Sequence, residues 1–464
     1  MPTIPQHLPA PTAWRGEAAI LELGDDFYDP VAAADFPETR LRFRNHRWDA
    51  SVGLDELSDD AWIAYFGRFA ALPGSLAQPL ALRYHGHQFR HYNPDIGDGR
   101  GFLFAQMRDA GGRLLDFGTK GSGTTPWSRF GDGRLTLKGG VREVLATEML
   151  EALGVDTSRS FSLIETGEAL ERGDEPSPTR SAVLVRLSHG HIRIGTFQRL
   201  ATLGDSEGLT RLVDYCLRHL FDDPPGADGP ERLLRHVVAR TARLAASYMV
   251  AGFVHGVLNT DNINVTGESF DYGPWRFAPT WDPGFTAAYF DHAGLYAFAR
   301  QPEAIHWNTA QLAISLRPLV ESEPLVAALE AFPDAYRAAL AEHMLWRLGV
   351  QPRGLTQDLA LVTAIETALG ATDTGIDRFF FDWAGGRARR PGYESEAWAE
   401  LRALLDDYEA SRALDHAYWA APDPQSMLID EVEAIWSRIA DADDWSAFAA
   451  KVAAVRAMGE ALRA

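Results

Sequence analysis

The segment HGVLNTDNINV at residues 255–265, followed six residues on by DYG at 271–273, brings together side chains able to hold a metal ion and move a proton. Asn262 offers an amide oxygen and Asp271 a carboxylate, flanking a stretch, NINV–TGE–SFDYG, that is expected to form a short hairpin. Mg²⁺ takes few carboxylates and completes its shell with phosphate oxygens, which suits such a pair. Asp261 stands directly beside Asn262, where a carboxylate is placed to accept a hydroxyl proton.

Upstream, the tetrapeptide GDGR occurs twice, at 97–100 and at 131–134. The first, in IGDGRGFLFAQ, reads as a strand, an Asp-Gly turn and another strand. Glycine in such a turn lets backbone N–H groups approach an anion. Lys120 ends the apolar run LLDFGTK, and Glu143 lies early on the helix expected from VREVLATEMLEALG. Glycine-rich hairpin, strand-borne Lys and helix-borne Glu follow one another as in the small lobe of protein kinases. His255 and Asn262 keep the kinase catalytic-loop interval of seven, but Val257 occupies the position of the usual catalytic Asp. Between 120 and 142 stand five cations (Lys120, Arg129, Arg134, Lys138, Arg142) and one anion, Asp132, an excess that points to a polyanionic ligand. Arg186 and Arg193 follow in LVRLSHGHIRIG, at two ends of one strand-turn unit. His85 and His87 in YHGHQF read as polar packing rather than a metal site, and the literal DFG at 116–118 precedes the lysine, so it cannot be the metal motif.

These residues need a scaffold. From about 80 to 200, short β-forming runs (GFLFAQM, RLLDFGTK, SFSLIET, SAVLVRLS) are bounded by turn residues and interrupted by the Glu143 helix, with Gly154 at its C-cap. From about 205 the chain turns helical, and the tryptophans of its last 140 residues are expected in the core. Two or three packed units are expected from 464 residues. A net charge of −20 argues against nucleic acid or an anionic membrane as partner. The one cysteine, Cys216, excludes an intramolecular disulfide and reads as a small helical hydrophobe. No secretory signal or membrane span is visible, so a cytoplasmic protein is expected.

The segments YHGHQF…IGDGRG, GTKGSGTTPWSRFGDGR, VREVLATEML, FVHGVLNTDNINVTGESFDYGPWRF and DHAGLYAFARQPEAIHWNTAQLA resemble the selenoprotein O family, also called YdiU, over about residues 80–315 in order. Members are kinase-like pseudokinases. The resemblance implies a bilobal, α+β protein-kinase-like fold, with a β-rich N-lobe carrying one key helix and a large, mainly helical C-lobe. In this sequence that divides into an N-terminal extension (1–79), a nucleotide-binding N-lobe (80–203) and a helical C-lobe (204–464) holding the 255–273 loop. It also implies protein adenylylation: transfer of AMP from ATP, bound in a flipped orientation, to Ser, Thr or Tyr hydroxyls of protein substrates, with Mg²⁺ or Mn²⁺. Position by position, Gly97, Gly99, Arg100, Lys120, Asp132 and Gly133 match nucleotide contacts, and Glu143 matches the partner of Lys120. Arg186 and Arg193 match the arginines near the terminal phosphate. Asn262 and Asp271 match the metal ligands, and Asp261 the proton acceptor that replaces the base missing at Val257.

The sequence departs from the family in FRHYNPD before the first GDGR, in LKGG before the helix, and in the ending AVRAMGEALRA, which lacks the redox-active Cys or selenocysteine. No C-terminal redox switch is expected, and a monomer is. A conventional phosphotransferase and a non-catalytic nucleotide-binding scaffold are the alternative readings.

Overall fold

The computed structural model describes residues 11–173 and 175–464. Among these, nine strands form one sheet in which every pairing is antiparallel. Its order is Tyr28–Pro30, Leu80–Leu82, Leu103–Arg108, Leu114–Lys120, Thr179–Ser188, Arg159–Leu170 and Arg40–Arg44. Gly16–Glu17 pairs beside Leu103–Arg108, and Leu135–Thr136 beside Thr179–Ser188. Residues before position 80 therefore contribute strands to the same sheet as the later runs.

The strand ending at Lys120 is central, and all seven of its residues are buried. Its register sets Lys120 opposite Leu184 and Gly118 opposite Arg186. Side chains alternate along a strand, so Lys120 and Arg186 project from the same face, one diagonal step apart. That face packs on the helix Leu137–Ala152, whose Val141, Leu145 and Met149 stripe is fully buried. The opposite face buries Phe104, Phe117, Phe161, Val183 and Val185 against Trp62 and Phe66 of the helix Asp59–Phe66.

The rest is mainly helical, so the chain is an α+β protein. The helix Gly229–Ala251 packs against Gln301–Leu316 and Phe332–Leu348. One apolar cluster runs from the sheet, through Leu163 and Leu184, into these helices at Leu234, Ala304 and Leu312. Of the tryptophans expected in the core, Trp383, Trp398 and Trp419 are buried, whereas Trp346, Trp436 and Trp445 are only partly buried and pack against its edge. Cys216 lies on the helix Ser206–Leu220, free and fully buried. No helix among the described residues is long and apolar enough to cross a membrane.

Two local expectations change. IGDGRG is not a tight hairpin: Gly97 bridges Arg83, and the next strand starts only at Leu103. The chain between Arg83 and Gly97 instead carries a separate hairpin, Gly86–Gln88 paired with His91–Asn93. Likewise NINV–TGE–SFDYG does not pair with itself. Asn264 bridges Arg193 and Ser269 bridges Thr157, because both arms find better partners in the sheet-bearing region. The whole 255–275 loop is held at its base by Phe253–Val254 paired with Arg276–Phe277.

Candidate active site

A cleft of about 660 Å³ lies between the sheet and the 255–275 loop. Among the predicted site residues, Gly97, Gly99, Arg100, Lys120, Asp132, Gly133, Arg186, Arg193, Asp261 and Asp271 line it. Glu143 sits behind Lys120, and Asn262 is half-buried beside Asp261.

Charge organises the cleft. Lys120 Nζ donates to Glu143 Oε2 at 2.6 Å and lies 3.1 Å from Asp271 Oδ1. Arg186 Nη1 approaches the same Oδ1 at 3.4 Å, and Arg193 Nη1 reaches Oδ2 at 3.3 Å. Burial raises the Asp271 carboxyl, but Lys120, Arg186 and Arg193 outweigh it and hold the group well below the usual carboxylate range. Asp271 also adopts a left-handed backbone, φ 63°, a conformation that aspartate tolerates better than most residues. The turn is held from within: His255 Nε2 lies 3.0 Å from the Phe270 carbonyl, and burial keeps that imidazole below its ordinary pKa. His255 is thus a structural residue of the loop.

Arg193, the N-cap of the helix Ile194–Leu203, is the most connected cation. It donates to the Asp261 carbonyl at 2.8 Å, meets Asp98 Oδ1 at 3.3 Å and stacks over Tyr84 and Phe270. Asp98, the acid of the first GDGR, also accepts from the Leu82 amide at 3.1 Å. Its place between two glycines of an Asp-Gly turn was the available signal for it.

Asp261 is buried, and its Oδ1 has no hydrogen-bond partner. Burial is the main reason its carboxyl is pushed up to about 6, against the pull of Arg193. Its other oxygen faces Gln88 Nε2 at 3.4 Å, on the small hairpin that roofs the loop. A Cβ on Gly86 would stand 2.8 Å from Asp261 Oδ1, so only glycine lets the hairpin come this close. Asn262 Nδ2 donates to the Val257 carbonyl at 2.8 Å, which orients its side-chain amide and sets the direction of its Oδ1, an atom able to serve as a metal ligand.

The second GDGR forms the outer rim. Gly133 has φ 68°, and a Cβ there would lie 2.2 Å from the Gly123 backbone. Asp132 is bound by Arg172 at 2.9 and 3.1 Å and by the Arg134 amide at 2.9 Å. The sequence reading missed Arg172, together with Tyr84 and Trp127, which also line the cleft. Trp127 sits within the GTTPWSRFGDGR segment, so its neighbours were in view. Arg172 sits beyond it, and nothing local marks it.

The cation cluster at 120–142 is divided by the fold. Lys120, Arg129 and Arg134 face the cleft, but Arg134 is already paired with Glu168 at 2.8 Å. Lys138 and Arg142 turn away towards Glu433. The ligand-facing charge therefore depends as much on Arg100, Arg186 and Arg193, which come from other elements. His85 and His87 bind Tyr92 at 2.6 Å and Gln198 at 2.7 Å, and no cluster of three metal-ligating His, Cys, Asp or Glu exists among the described residues. Asp116 of the literal DFG is buried in its strand, accepting from Gln106 at 2.7 Å.

A family model described as protein adenylyltransferase SelO matches residues 13–456. The chain is 48% identical over 455 residues to a protein nucleotidyltransferase YdiU of Gloeobacter violaceus, spanning 93% of each chain. It is 50% identical over 463 residues to that of Synechocystis sp., spanning 93% of this chain and 96% of the relative. Against that of Synechococcus elongatus it is 44% identical over 468 residues, 92% of each. The chain thus belongs to the protein adenylyltransferase SelO family and is a nucleotidyltransferase.

Proposed function

We propose that the protein transfers AMP from ATP to Ser, Thr or Tyr hydroxyls of other proteins and releases diphosphate. The observation that carries this reading is the convergence of Lys120, Arg186 and Arg193 on Asp271, in a cleft that also holds the unpartnered Asp261 oxygen. Asp271, Glu143 and Asp98 match these three cations in charge, so the positive charge left for a triphosphate comes from Arg100 and Arg129, which line the same cleft, and from cations that a bound phosphate would draw off Asp271. Glu143, buried behind Lys120, fixes where the ammonium points.

In the transfer step the acceptor oxygen forms a bond to the α-phosphorus as the bond from that phosphorus to the β-phosphate oxygen breaks. Diphosphate leaves, and the hydroxyl proton passes to Asp261. A carboxylate with a free oxygen and a pKa raised by burial is a better base than an exposed aspartate. Asn262 and Asp271 fit a divalent ion of the Mg²⁺ or Mn²⁺ kind, which supplies charge neutralisation on the phosphates when bound. Only two protein ligands are needed for a hard cation that is otherwise held by phosphate and water.

The same reading treats the architecture as a kinase-like pair of lobes. Residues 80–203, with the 1–79 extension, form the nucleotide-binding lobe, and 204–464 form the helical lobe bearing the loop. A cytoplasmic monomer acting on protein substrates, with no nucleic acid or membrane partner, completes the proposal.

The deciding experiment supplies ATP labelled at the α- or the γ-phosphate together with candidate acceptor proteins. Label retained on protein from the α-position supports adenylylation. Label retained only from the γ-position would overturn it in favour of phosphoryl transfer, and none from either position would leave a nucleotide-binding scaffold.

A further inference from the structure

The Glu143 helix is poorly suited to hold its own position. Thr136 caps its start by accepting from the Gly139 amide at 3.1 Å, but the first turn contains Lys138 and no acid, although the positive end of a helix dipole favours anions. Gly139 and Gly140 follow, each costing about 1 kcal/mol of helix propensity relative to alanine. Gly140 has a packing reason, since a Cβ there would lie 2.4 Å from the Leu163 side chain on the sheet. The half of the helix that carries Glu143 thus bears two glycines and an unfavourably placed lysine, with Thr136 as its one local compensation.

What the helix lacks is supplied by the last two helices, Ile429–Ala442 and Ser446–Arg463. Glu433 places its carboxylate 2.7 Å from Lys138 and 3.6 Å from Arg142, the negative charge missing from the first turn. Arg456 grips Glu148 with two hydrogen bonds, 2.8 and 2.6 Å, and reaches Asn45 at 3.1 Å. Glu148 is buried and lies five residues after Glu143, about 140° around the helix, so it faces away from the cleft. Phe448, Val455 and Met458 pack into the same core as Leu145 and Met149, and a Cβ on Gly459 would stand 3.1 Å from Ala152. The turn between the two helices is tied to the sheet as well, with Asp443 2.7 Å from Arg180 and 3.1 Å from Arg42.

We propose that this C-terminal helix pair is a permanent brace for the Glu143 helix, with Glu433 and Arg456 as positioning residues that keep Glu143 on Lys120. The functional side of the proposal rests on Lys120 being a nucleotide contact. The brace itself is a statement about the helix and can be measured separately.

The test compares Glu433→Lys, Arg456→Ala and Arg456→Lys in the full chain by hydrogen-exchange mass spectrometry and by transfer of α-labelled AMP. The first two are expected to speed exchange of the 139–147 amides at least about ten-fold, with the helix Gly229–Ala251 unchanged. The turnover number should fall by a similar factor, about ten-fold, through a displaced Lys120–Glu143 pair. Arg456→Lys, which keeps one charged contact, should recover part of both. Unchanged exchange at 139–147 in Glu433→Lys and Arg456→Ala would overturn the brace, as would faster exchange with an undiminished turnover. If Arg456→Ala fails to fold, Glu433→Lys decides, because Glu433 is 42% exposed and its replacement leaves the core unchanged in volume. Wild-type protein that transfers no α-label would instead defeat the adenylylation reading, leaving exchange to judge the brace.

Discussion

The Oδ1 atom of Asp271 lies 3.1 Å from the Nζ of Lys120, so the lysine on the sheet and the acid on the loop meet across the cleft. With Arg186 and Arg193 also within 3.4 Å, the carboxylate is surrounded by three cations that a divalent ion would have to face. A triphosphate draws the same cations to itself and frees the carboxylate. Metal and nucleotide should therefore bind together. Mn²⁺ affinity, read by electron paramagnetic resonance, is expected to rise at least about ten-fold, or 1.4 kcal/mol, when a non-hydrolysable ATP analogue is present. Asp271→Ala should abolish metal-dependent transfer, yet bind the nucleotide in the absence of metal as well as or better than wild type by calorimetry. Weaker metal-free binding would contradict this account.

Lys120 and Glu143 form a buried ion pair, 4% and 1% exposed at their side chains. Removing one member leaves the other with a single charged partner, Glu143 with Arg186 at 3.7 Å or Lys120 with Asp271 at 3.1 Å. Part of the cost of a stranded buried charge, about 3–5 kcal/mol, is therefore expected, whereas removing both avoids it. Lys120→Met should lower the melting temperature and reduce transfer by about a hundred-fold or more. Lys120→Met combined with Glu143→Leu should recover stability but not transfer. Urea denaturation beside steady-state kinetics separates the two effects, and recovery of both would remove Lys120 from the chemistry.

Asp261 is proposed as the proton acceptor, and its buried, unclaimed Oδ1 supports that role. Asp261→Asn keeps the shape and the contact with Gln88 but cannot take a proton. The turnover number should drop by about a hundred-fold or more, while the KM for ATP changes less than about three-fold. A parallel loss of nucleotide binding would make Asp261 a positioning residue instead.

A pH effect on stability is expected far from the cleft. His343 is buried on the helix Phe332–Leu348, its Nε2 has no hydrogen-bond partner, and burial, helped by Arg243, pushes its pKa down to about 4. An unfolded imidazole titrates near 6.5, so between those values the unfolded chain binds more protons. The stability held by neutral His343 is complete above about pH 6.5 and lost as pH falls towards 4, a span worth about 3 kcal/mol. His343→Leu should reduce the acid-induced loss of the urea midpoint between pH 7 and 4.5. An identical loss in the variant would show that carboxylates alone set the acid limit.

The apolar runs and the helix stripe at Val141, Leu145 and Met149 were enough to specify a strand-rich region with one inserted helix and a helical region after it, because those features depend on periodicities of two and about 3.6 residues. The motif residues were also legible as a set, since Gly97, Lys120, Asp132, Asp261 and Asp271 each stand in a short segment with its own local signature. What only the tertiary structure decided was which charges share a space. Lys138 and Arg142 read as ligand cations but serve the C-terminal brace, while Arg172, with no local mark, reaches the rim. The two expected hairpins failed for the same reason: 97–103 and 263–270 found backbone partners elsewhere, Gly97 at Arg83, Leu103 at Leu80, Asn264 at Arg193 and Ser269 at Thr157. Local pattern sets what a segment can form, but long-range pairing and the low dielectric of a closed core select its partners.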